Sequence, residues 1–176
     1  MIKRINDRLR YGRQDEGFTL IELMVVVLII AILIAIAIPT FLGARKRAQD
    51  RAAQSSLRNT VTAAKAIFTD EETYTGITAT DLAEGEPAIE FETNPSTDPV
   101  EVVMLVAAGD RFVATAYSKA GKCWYVQDVT GPSSATNTGT RWAMLDDQTS
   151  CGGTAAPAVD AGDWYRNPSE ADDNPF

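Results

Sequence analysis

The chain has 176 residues, of which 45% are apolar and 8% aromatic, enough for one domain with a core; wholesale disorder is excluded. Its 16 basic and 24 acidic side chains give a net charge of -8, which argues against nonspecific binding to a nucleic-acid backbone. It contains no histidine, the residue that most often serves as metal ligand and general base. We therefore expect no catalytic site, no metal and no cofactor.

The charge is unevenly distributed along the chain. Residues 1–17 hold three acidic side chains and five basic ones, which are Lys3, Arg4, Arg8, Arg10 and Arg13. The remainder holds 11 basic against 21 acidic side chains, a net charge of -10. A short basic segment therefore precedes an acidic body.

Residues 18–38 form an apolar run, FTLIELMVVVLIIAILIAIAI, in which only Thr19 and Glu22 are polar. As an α-helix this run spans about 31 Å, which matches a bilayer hydrocarbon core of roughly 30 Å. Many of its residues are β-branched, but strands rarely exceed about 10 residues. The length therefore predicts a helix that can cross a membrane.

Three interpretations of this run compete. A secretory signal peptide would account for the basic flank and the small-residue pattern at Ala35–Ala37. A permanent single-pass anchor would account for the length, although basic residues on both sides leave its orientation open. The third interpretation is that the run is the first half of a longer helix.

The helical pattern continues beyond Pro39, because no turn signal appears before residues 70–73. Good helix formers dominate from Ala44 to Phe68. Within that stretch an apolar stripe recurs at spacings of three and four: Ala53, Leu57, Val61, Ala64 and Phe68. We predict one helix over residues 18–69 that bends or loosens at Pro39, with Gly43 just beyond.

Beyond Gly76 the pattern changes to short β-prone segments separated by turn formers. We predict strands at Ile89–Thr93, Val100–Ala107, Arg111–Ser118 and Lys122–Asp128, and a fifth at Arg141–Leu145. Hairpin-length connections predict an antiparallel meander whose inner face covers the apolar stripe of the helix. Residues 155–176, rich in Ala, Asp, Pro and Asn, have the composition of a loosely ordered acidic tail.

Glu22 is the most informative residue in the apolar run. A carboxylate inside a membrane-length segment costs about 2.5–3.5 kcal/mol even on insertion scales. One explanation is that it reaches the headgroup region from its place near the start of the run. The other is a positive partner, which cleavage after Gly17 would create as the amine of Phe18, four residues away on the same helical face.

The sequence Gly17-Phe18-Thr19-Leu20-Ile21-Glu22, followed by the apolar run and Pro39, resembles the type IV pilin class of bacterial pilins and pseudopilins. The resemblance is strong over residues 13–45 and includes the stretch FLGARKRA at 41–48. It implies that a prepilin peptidase cleaves between Gly17 and Phe18 and that the same enzyme N-methylates Phe18. The absent side chain of Gly17 would suit a close-fitting active site.

The resemblance also implies a life cycle and an α+β pilin fold. Residues 1–17 would be a cleaved leader, 18–42 a transmembrane and filament-core helix half that protrudes, 43–154 a globular head with an antiparallel sheet, and 155–176 a flexible tail. The mature chain would wait in the cytoplasmic membrane, in contact with lipid, until an inner-membrane machine polymerises it into an extracellular filament. Glu22 would neutralise the Phe18 amine of a neighbour and set the register, and Pro39 would be the point of bending.

Cys123 and Cys151 are the only cysteines, and both lie in the part that we place outside the membrane. An oxidising compartment favours one disulfide, which should stabilise the fold by about 3–4 kcal/mol on the chain-entropy model. Two free buried thiols are the alternative. The bracketed segment also resembles the disulfide-bound region near the C-terminus of type IV pilins.

Other polar and aromatic groups have ordinary explanations. Asp146 and Asp147 and the aspartates of the tail are expected to be solvated surface, and a calcium site in the C-terminal region is the alternative. The aromatic side chains Trp124, Tyr125, Trp142, Trp164 and Tyr165 are expected to pack in the core. The Ser/Thr-rich loop 130–140 is a candidate for O-linked sugar.

The sequence thus predicts a structural subunit of a type IV pilus, not an enzyme, that supports adhesion, twitching motility or DNA uptake. A pseudopilin of a type II secretion or competence system is the close alternative. A single-pass membrane protein with an extracellular binding domain is the rival from another class, although a plain anchor needs neither Gly17 nor Glu22. Direct DNA binding is not expected of a mature chain with a net charge of -10.

Overall fold

A computed structural model of the chain describes residues 17–131 and 138–152. The described residues divide between Leu42 and Gly43 into two compact units. Three predictions lie wholly or partly outside the described residues: most of the 1–17 leader, the centre of the 130–140 loop and the 155–176 tail with Trp164 and Tyr165.

Helix α1 runs from Leu20 to Glu71, 52 residues, and confirms the single long helix predicted over 18–69. It ends where Glu72 adopts a left-handed backbone with φ 55° and its N–H bonds to the Phe68 carbonyl at 2.8 Å. A residue in this conformation turns the chain away from the helix axis and thereby ends the helix. The chain then continues through Thr73 to Tyr74, whose N–H bonds to the Gly109 carbonyl at 2.8 Å.

The apolar stripe predicted on the second half of α1 is the buried face of that half. Ala53, Leu57 and Ala64 are fully buried, Val61 is buried, and Phe68 packs partly buried against the same core. The 3.6-residue period therefore located the packing face correctly. This face lies on the sheet formed by the rest of the chain.

Helix α2, Ala79–Gly85, was not predicted, because the segment after Gly76 was assigned to extended structure. A capping box starts it: the Thr78 hydroxyl accepts the Asp81 N–H, and the Asp81 carboxylate accepts the Thr78 N–H at 2.8 Å. These reciprocal bonds satisfy helix donors that otherwise lack partners. The pattern Thr-x-x-Asp was the signal available in the sequence, and Leu82 anchors the helix in the core.

The sheet has five strands in the order β1-β2-β3-β4-β5. Their bounds are Glu90–Glu92 for β1, Glu101–Ala108 for β2, Arg111–Ser118 for β3, Lys122–Val129 for β4 and Gly139–Leu145 for β5. Strands β2 to β5 pair antiparallel, which confirms the meander predicted for this part. Strand β1 instead pairs parallel to β2. The link through residues 93–100 brings the chain back, so that β2 begins beside the first residue of β1 and runs in the same direction.

The sheet is covered on both faces in its central strands. The main core joins the helix stripe to alternate residues of the sheet, among them Phe112, Trp124, Val126 and Met144. A smaller cluster on the other face contains Val113, Cys123, Tyr125, Ala143 and Cys151. The structure is therefore of the predicted α+β class, with a long helix packed on a largely antiparallel sheet.

Candidate functional site

The chain enters α1 through a capping box built from Thr19 and Glu22. One carboxylate oxygen of Glu22 accepts the Thr19 N–H at 3.0 Å and the Thr19 hydroxyl at 2.8 Å. In return the Thr19 hydroxyl accepts the Glu22 N–H at 3.2 Å. The sequence pointed to Glu22 but missed Thr19, although Thr-x-x-Glu before an apolar run is a known helix-start pattern.

This geometry holds the Glu22 carboxylate at the first turn of the helix. Residues 17–22 are exposed, so the carboxylate is satisfied locally while remaining accessible to a positive group outside its own helix. A negative charge here also interacts favourably with the partial positive charge of the helix N-terminus. Gly17 is exposed as well, and a Cβ built there would meet nothing within 4 Å.

The segment after this motif presents apolar side chains to its surroundings on all sides. Every large apolar side chain from Phe18 to Leu42 is at least 48% exposed. By length and composition α1 is the one helix among the described residues that could cross a membrane. An all-round apolar helix of this kind requires lipid or other apolar helices as its environment.

Pro39 lies inside α1, and the helix continues through it. Its nitrogen donates no hydrogen bond to the preceding turn. In the next position the Thr40 hydroxyl donates to the Ile36 carbonyl at 3.0 Å, which supports that turn. The bend at Pro39 and Gly43 stays a prediction. A proline weakens a helix at its position, but the helix can still continue through it, as α1 does here.

The disulfide between Cys123 and Cys151 is present, with Cα atoms 5.5 Å apart. It joins β4 to the segment after β5, and both cysteines are buried. The same segment pairs with Ser96: the Cys151 N–H donates to the Ser96 carbonyl at 2.8 Å, and the Ser96 N–H donates back. The covalent link therefore also fastens the loop between β1 and β2, a connection that sequence spacing did not show.

Asp50 is a buried carboxylate on the packed half of α1, 7% exposed. It accepts the hydroxyl of Ser118 at 2.5 Å and the indole N–H of Trp124 at 3.5 Å. These donors come from the end of β3 and the start of β4, so the contact fixes the helix against the sheet. Sequence reasoning missed Asp50, because a polar residue beside an apolar stripe looks like solvated surface.

A second buried carboxylate, Asp128 near the end of β4, also joins helix α1 to the sheet. It accepts hydrogen bonds from the hydroxyls of Tyr74 and Thr140, each at 2.7 Å, and forms an ion pair with Lys65 at 2.9 Å. Burial raises the pKa of the Tyr74 phenol, and the neighbouring Asp128 carboxylate raises it further. The buried charge is thus satisfied by groups from α1, the following turn and β5.

Trp124, Tyr125 and Trp142 are buried, as predicted for core aromatics. Asp146 lies 3.7 Å from the ammonium of Lys122. Among the described residues there is no group of three or more acidic or cysteine side chains arranged to hold a metal ion.

The fold and the N-terminal motif together define an α+β protein of pilin architecture. The family model described as the prokaryotic N-terminal methylation motif matches residues 12–38. A similar protein is the type IV major pilin PilA of Myxococcus xanthus, 44% identical over 65 residues, which are 37% of this chain and 30% of that protein. Another is the type IV wide pilus major component PilA4 of Thermus thermophilus, 32% identical over 113 residues, which are 64% of this chain and 81% of that protein.

The chain belongs to the type IV pilin family. The relative from Thermus carries this conclusion, because the match covers most of that protein and 64% of this chain. The match to the relative from Myxococcus spans less than a third of that protein's length. No solved structure matches the chain significantly.

Proposed function

We propose that this chain is a structural subunit of a type IV pilus filament that is cut by a prepilin peptidase between Gly17 and Phe18 and N-methylated at Phe18. The observation that carries the proposal is the combination of the methylation motif at residues 12–38 with an apolar segment exposed on all sides. A motif for cleavage and a surface that needs apolar neighbours are both required of a subunit that passes from membrane to filament.

The four parts of the chain then have separate tasks. Residues 1–17 are the leader that the peptidase removes, and 18–42 hold the mature subunit in the cytoplasmic membrane as a single span. Residues 43–154 form the head outside the membrane, and 155–176 are an acidic tail. Assembly machinery at the inner membrane extracts the helix and adds it to the filament, where helices of other subunits replace lipid.

The Phe18 amine and the Glu22 carboxylate set the register between subunits. After cleavage the amine is a positive charge at the start of a helix, where it faces the partial positive charge of the helix dipole. The Glu22 carboxylate of a neighbouring subunit neutralises it in the apolar filament interior. A subunit added in the wrong axial position leaves a charge unpaired in a low dielectric, which is strongly unfavourable.

Two other functions use parts of the same structure. A pseudopilin of a type II secretion or competence system shares the motif, but the relatives described above are major pilins by name. A membrane-anchored binding protein needs the apolar helix but not the motif. The filament we propose supports adhesion, twitching motility or DNA uptake. Direct contact between this subunit and DNA is disfavoured, because the chain outside the leader has a net charge of -10.

The test is the intact mass and N-terminal sequence of the protein in filaments sheared from the cell surface. We expect a chain that begins at N-methylated Phe18 and lacks two hydrogens because of the Cys123–Cys151 disulfide. A start at Ile38, or an uncut Met1 found only in membranes, would contradict the proposal. The first result would indicate ordinary secretion and the second a plain anchor.

A further inference from the structure

One face of α1 in the head carries a stripe of arginines. Arg47, Arg51 and Arg58 are separated by four and seven residues, so they lie on the same side of the helix. All three are exposed. We call them the basic stripe. The described parts of the chain offer no ion-pair partner to Arg47 or Arg51, while the Arg58 guanidinium lies 5.5 Å from the ring centre of Trp142.

The basic stripe meets the last strand of the sheet at Arg58. Trp142, beneath Arg58, belongs to β5. One helical repeat further along the same line, the Lys65 ammonium bonds to the hydroxyl of Thr140, also in β5, at 2.8 Å. On the side of the helix next to β5, the Lys65 charge is paired with Asp128, whereas Arg58 remains exposed in the same line as Arg47 and Arg51.

The opposite edge of the sheet is acidic. From residue 70 to residue 110 the sequence has 11 acidic side chains and no lysine or arginine. In the edge strand β1, Glu90 and Glu92 are exposed, while Phe91 between them turns towards the core. The adjacent α2 and the turn after it add Glu84 and Glu86. We call these four glutamates the acidic edge.

The two charged surfaces cannot neutralise each other within one subunit. Three strands lie between β1 and β5, so the two edges are four strand spacings apart, about 19 Å at the usual spacing. Interactions between exposed charges are largely screened beyond about 8 Å at physiological salt. The basic stripe and the acidic edge are therefore opposite in charge but too far apart to interact within one subunit.

The spacing of the charges also matches. Residues i and i+4 of a helix are about 6 Å apart along its axis, which is the separation of Arg47 and Arg51. Residues i and i+2 of a strand point to the same side and are about 6.7 Å apart, which is the separation of Glu90 and Glu92. Two arginines can therefore meet two glutamates at once.

We infer that the basic stripe of one subunit docks against the acidic edge of a second copy of this chain. The two surfaces differ and lie on opposite edges, so the contact is head-to-tail and repeats from subunit to subunit without closing on itself. Such contacts generate open helical filaments. The inference rests on the proposed function, because it requires many copies held at fixed spacing.

The test is charge reversal in the full chain, expressed in a host in which this chain makes the filaments. R47E/R51E and E90K/E92K change only exposed side chains, so the head should fold and keep its disulfide. Because like charges face each other in either variant, we expect each to lower the yield of sheared filament about tenfold. Combining the four substitutions restores opposite charges in exchanged positions, and we expect the yield to return.

A matched control separates this contact from a general effect of charge. R45E/K46E makes the same change in net charge in the same turn of α1, but both residues are exposed on other faces. We expect it to change the yield by no more than about twofold. If the control loses as much filament as R47E/R51E, net charge and not the basic stripe is responsible, and the inference is wrong.

Further outcomes would also overturn the inference. Normal filament from either reversal, or failure of the combined variant to recover, excludes the contact while leaving the proposed function intact. If R47E/R51E instead depletes the processed subunit from the membrane and E90K/E92K does not rescue it, the basic stripe binds anionic lipid. If the unmodified chain makes no filament, the proposed function fails together with the inference.

Discussion

The two halves of helix α1 differ in what covers them. From Asp50 onward an apolar stripe is buried against the sheet of the same chain. From Phe18 to Leu42 the large apolar side chains are exposed. Because exposing so much apolar surface to water is unfavourable, the first half needs lipid or neighbouring helices around it, whereas the head supplies its own cover.

The carboxylates of the two halves show the same difference. Asp50 accepts hydrogen bonds from Ser118 and Trp124, which lie far away in sequence. Glu22 bonds only to the neighbouring Thr19 among the hydrogen bonds of the described chain. A carboxylate with partners across the fold stabilises that fold, while one satisfied by its own helix turn is available to another molecule.

The largest effect is expected from changing Glu22. The variants Glu22→Ala and Glu22→Gln should be cleaved normally but lower filament yield about 100-fold, because an unpaired charge in the apolar core costs about 2.5–3.5 kcal/mol. Glutamine keeps an oxygen for Thr19, so it separates the charge from the capping box. The measurements are filament yield after shearing and the N-terminal residue of the membrane-held subunit.

Thr19→Val is the control for this comparison. It removes the capping hydroxyl and leaves the charge of Glu22, so we expect only the loss of a helix cap, about 1 kcal/mol or a roughly fivefold lower yield. Normal filament from Glu22→Gln would show that the carboxylate does not act through its charge.

Asp50 is expected to affect stability and not assembly. Asp50→Ala leaves the Ser118 hydroxyl and the Trp124 indole without their buried acceptor, which should lower the free energy of unfolding by about 1–3 kcal/mol. Asp50→Asn keeps one acceptor oxygen and should lose less. The measurement is urea unfolding of the full chain in detergent micelles, followed by fluorescence of the buried tryptophans.

Asp70→Ala provides the matched control, since Asp70 is exposed on the same helix. It should change the free energy of unfolding by less than about 0.5 kcal/mol. Equal losses from Asp50→Ala and Asp70→Ala would mean that the buried contact with the sheet contributes nothing measurable.

Local patterns were sufficient for the elements that repeat a simple period. The apolar stripe located the buried face of α1, and alternation with turn signals predicted β3 at its observed bounds, Arg111–Ser118. The two cysteines predicted the disulfide. The GFTLIE motif at Gly17–Glu22 predicted the family, because it is a run of consecutive residues that involves no contact between distant parts of the chain.

Features that depend on distant contacts were not predictable in the same way. The parallel pairing of β1 with β2 depends on the path of the connection through residues 93–100. Hydrophobic alternation does not encode the direction of a strand. Buried Asp50 and Asp128 look like surface residues until their partners are known. Helix α2 was missed for another reason. Its capping box at Thr78 is present in the sequence, but the helix has only 7 residues and shows little helical period.

The smallest effect is expected at Tyr74, where the head's second buried carboxylate meets its hydroxyl donor. Tyr74→Phe should lower the free energy of unfolding by about 1 kcal/mol, because Asp128 keeps Lys65 and Thr140. The effect should depend on pH in a defined direction.

Because the pKa of Tyr74 is raised, the folded chain keeps the phenol proton at pH values at which the unfolded chain has lost it. This contribution to stability is complete below the unfolded pKa of about 10 and is lost as the pH rises towards the folded value. In urea titrations between pH 8 and about 11.5, the unmodified chain should therefore lose stability more steeply than Tyr74→Phe above about pH 10. Parallel curves for the unmodified chain and Tyr74→Phe would show that neither burial nor the Asp128 contact holds the Tyr74 phenol in its neutral form.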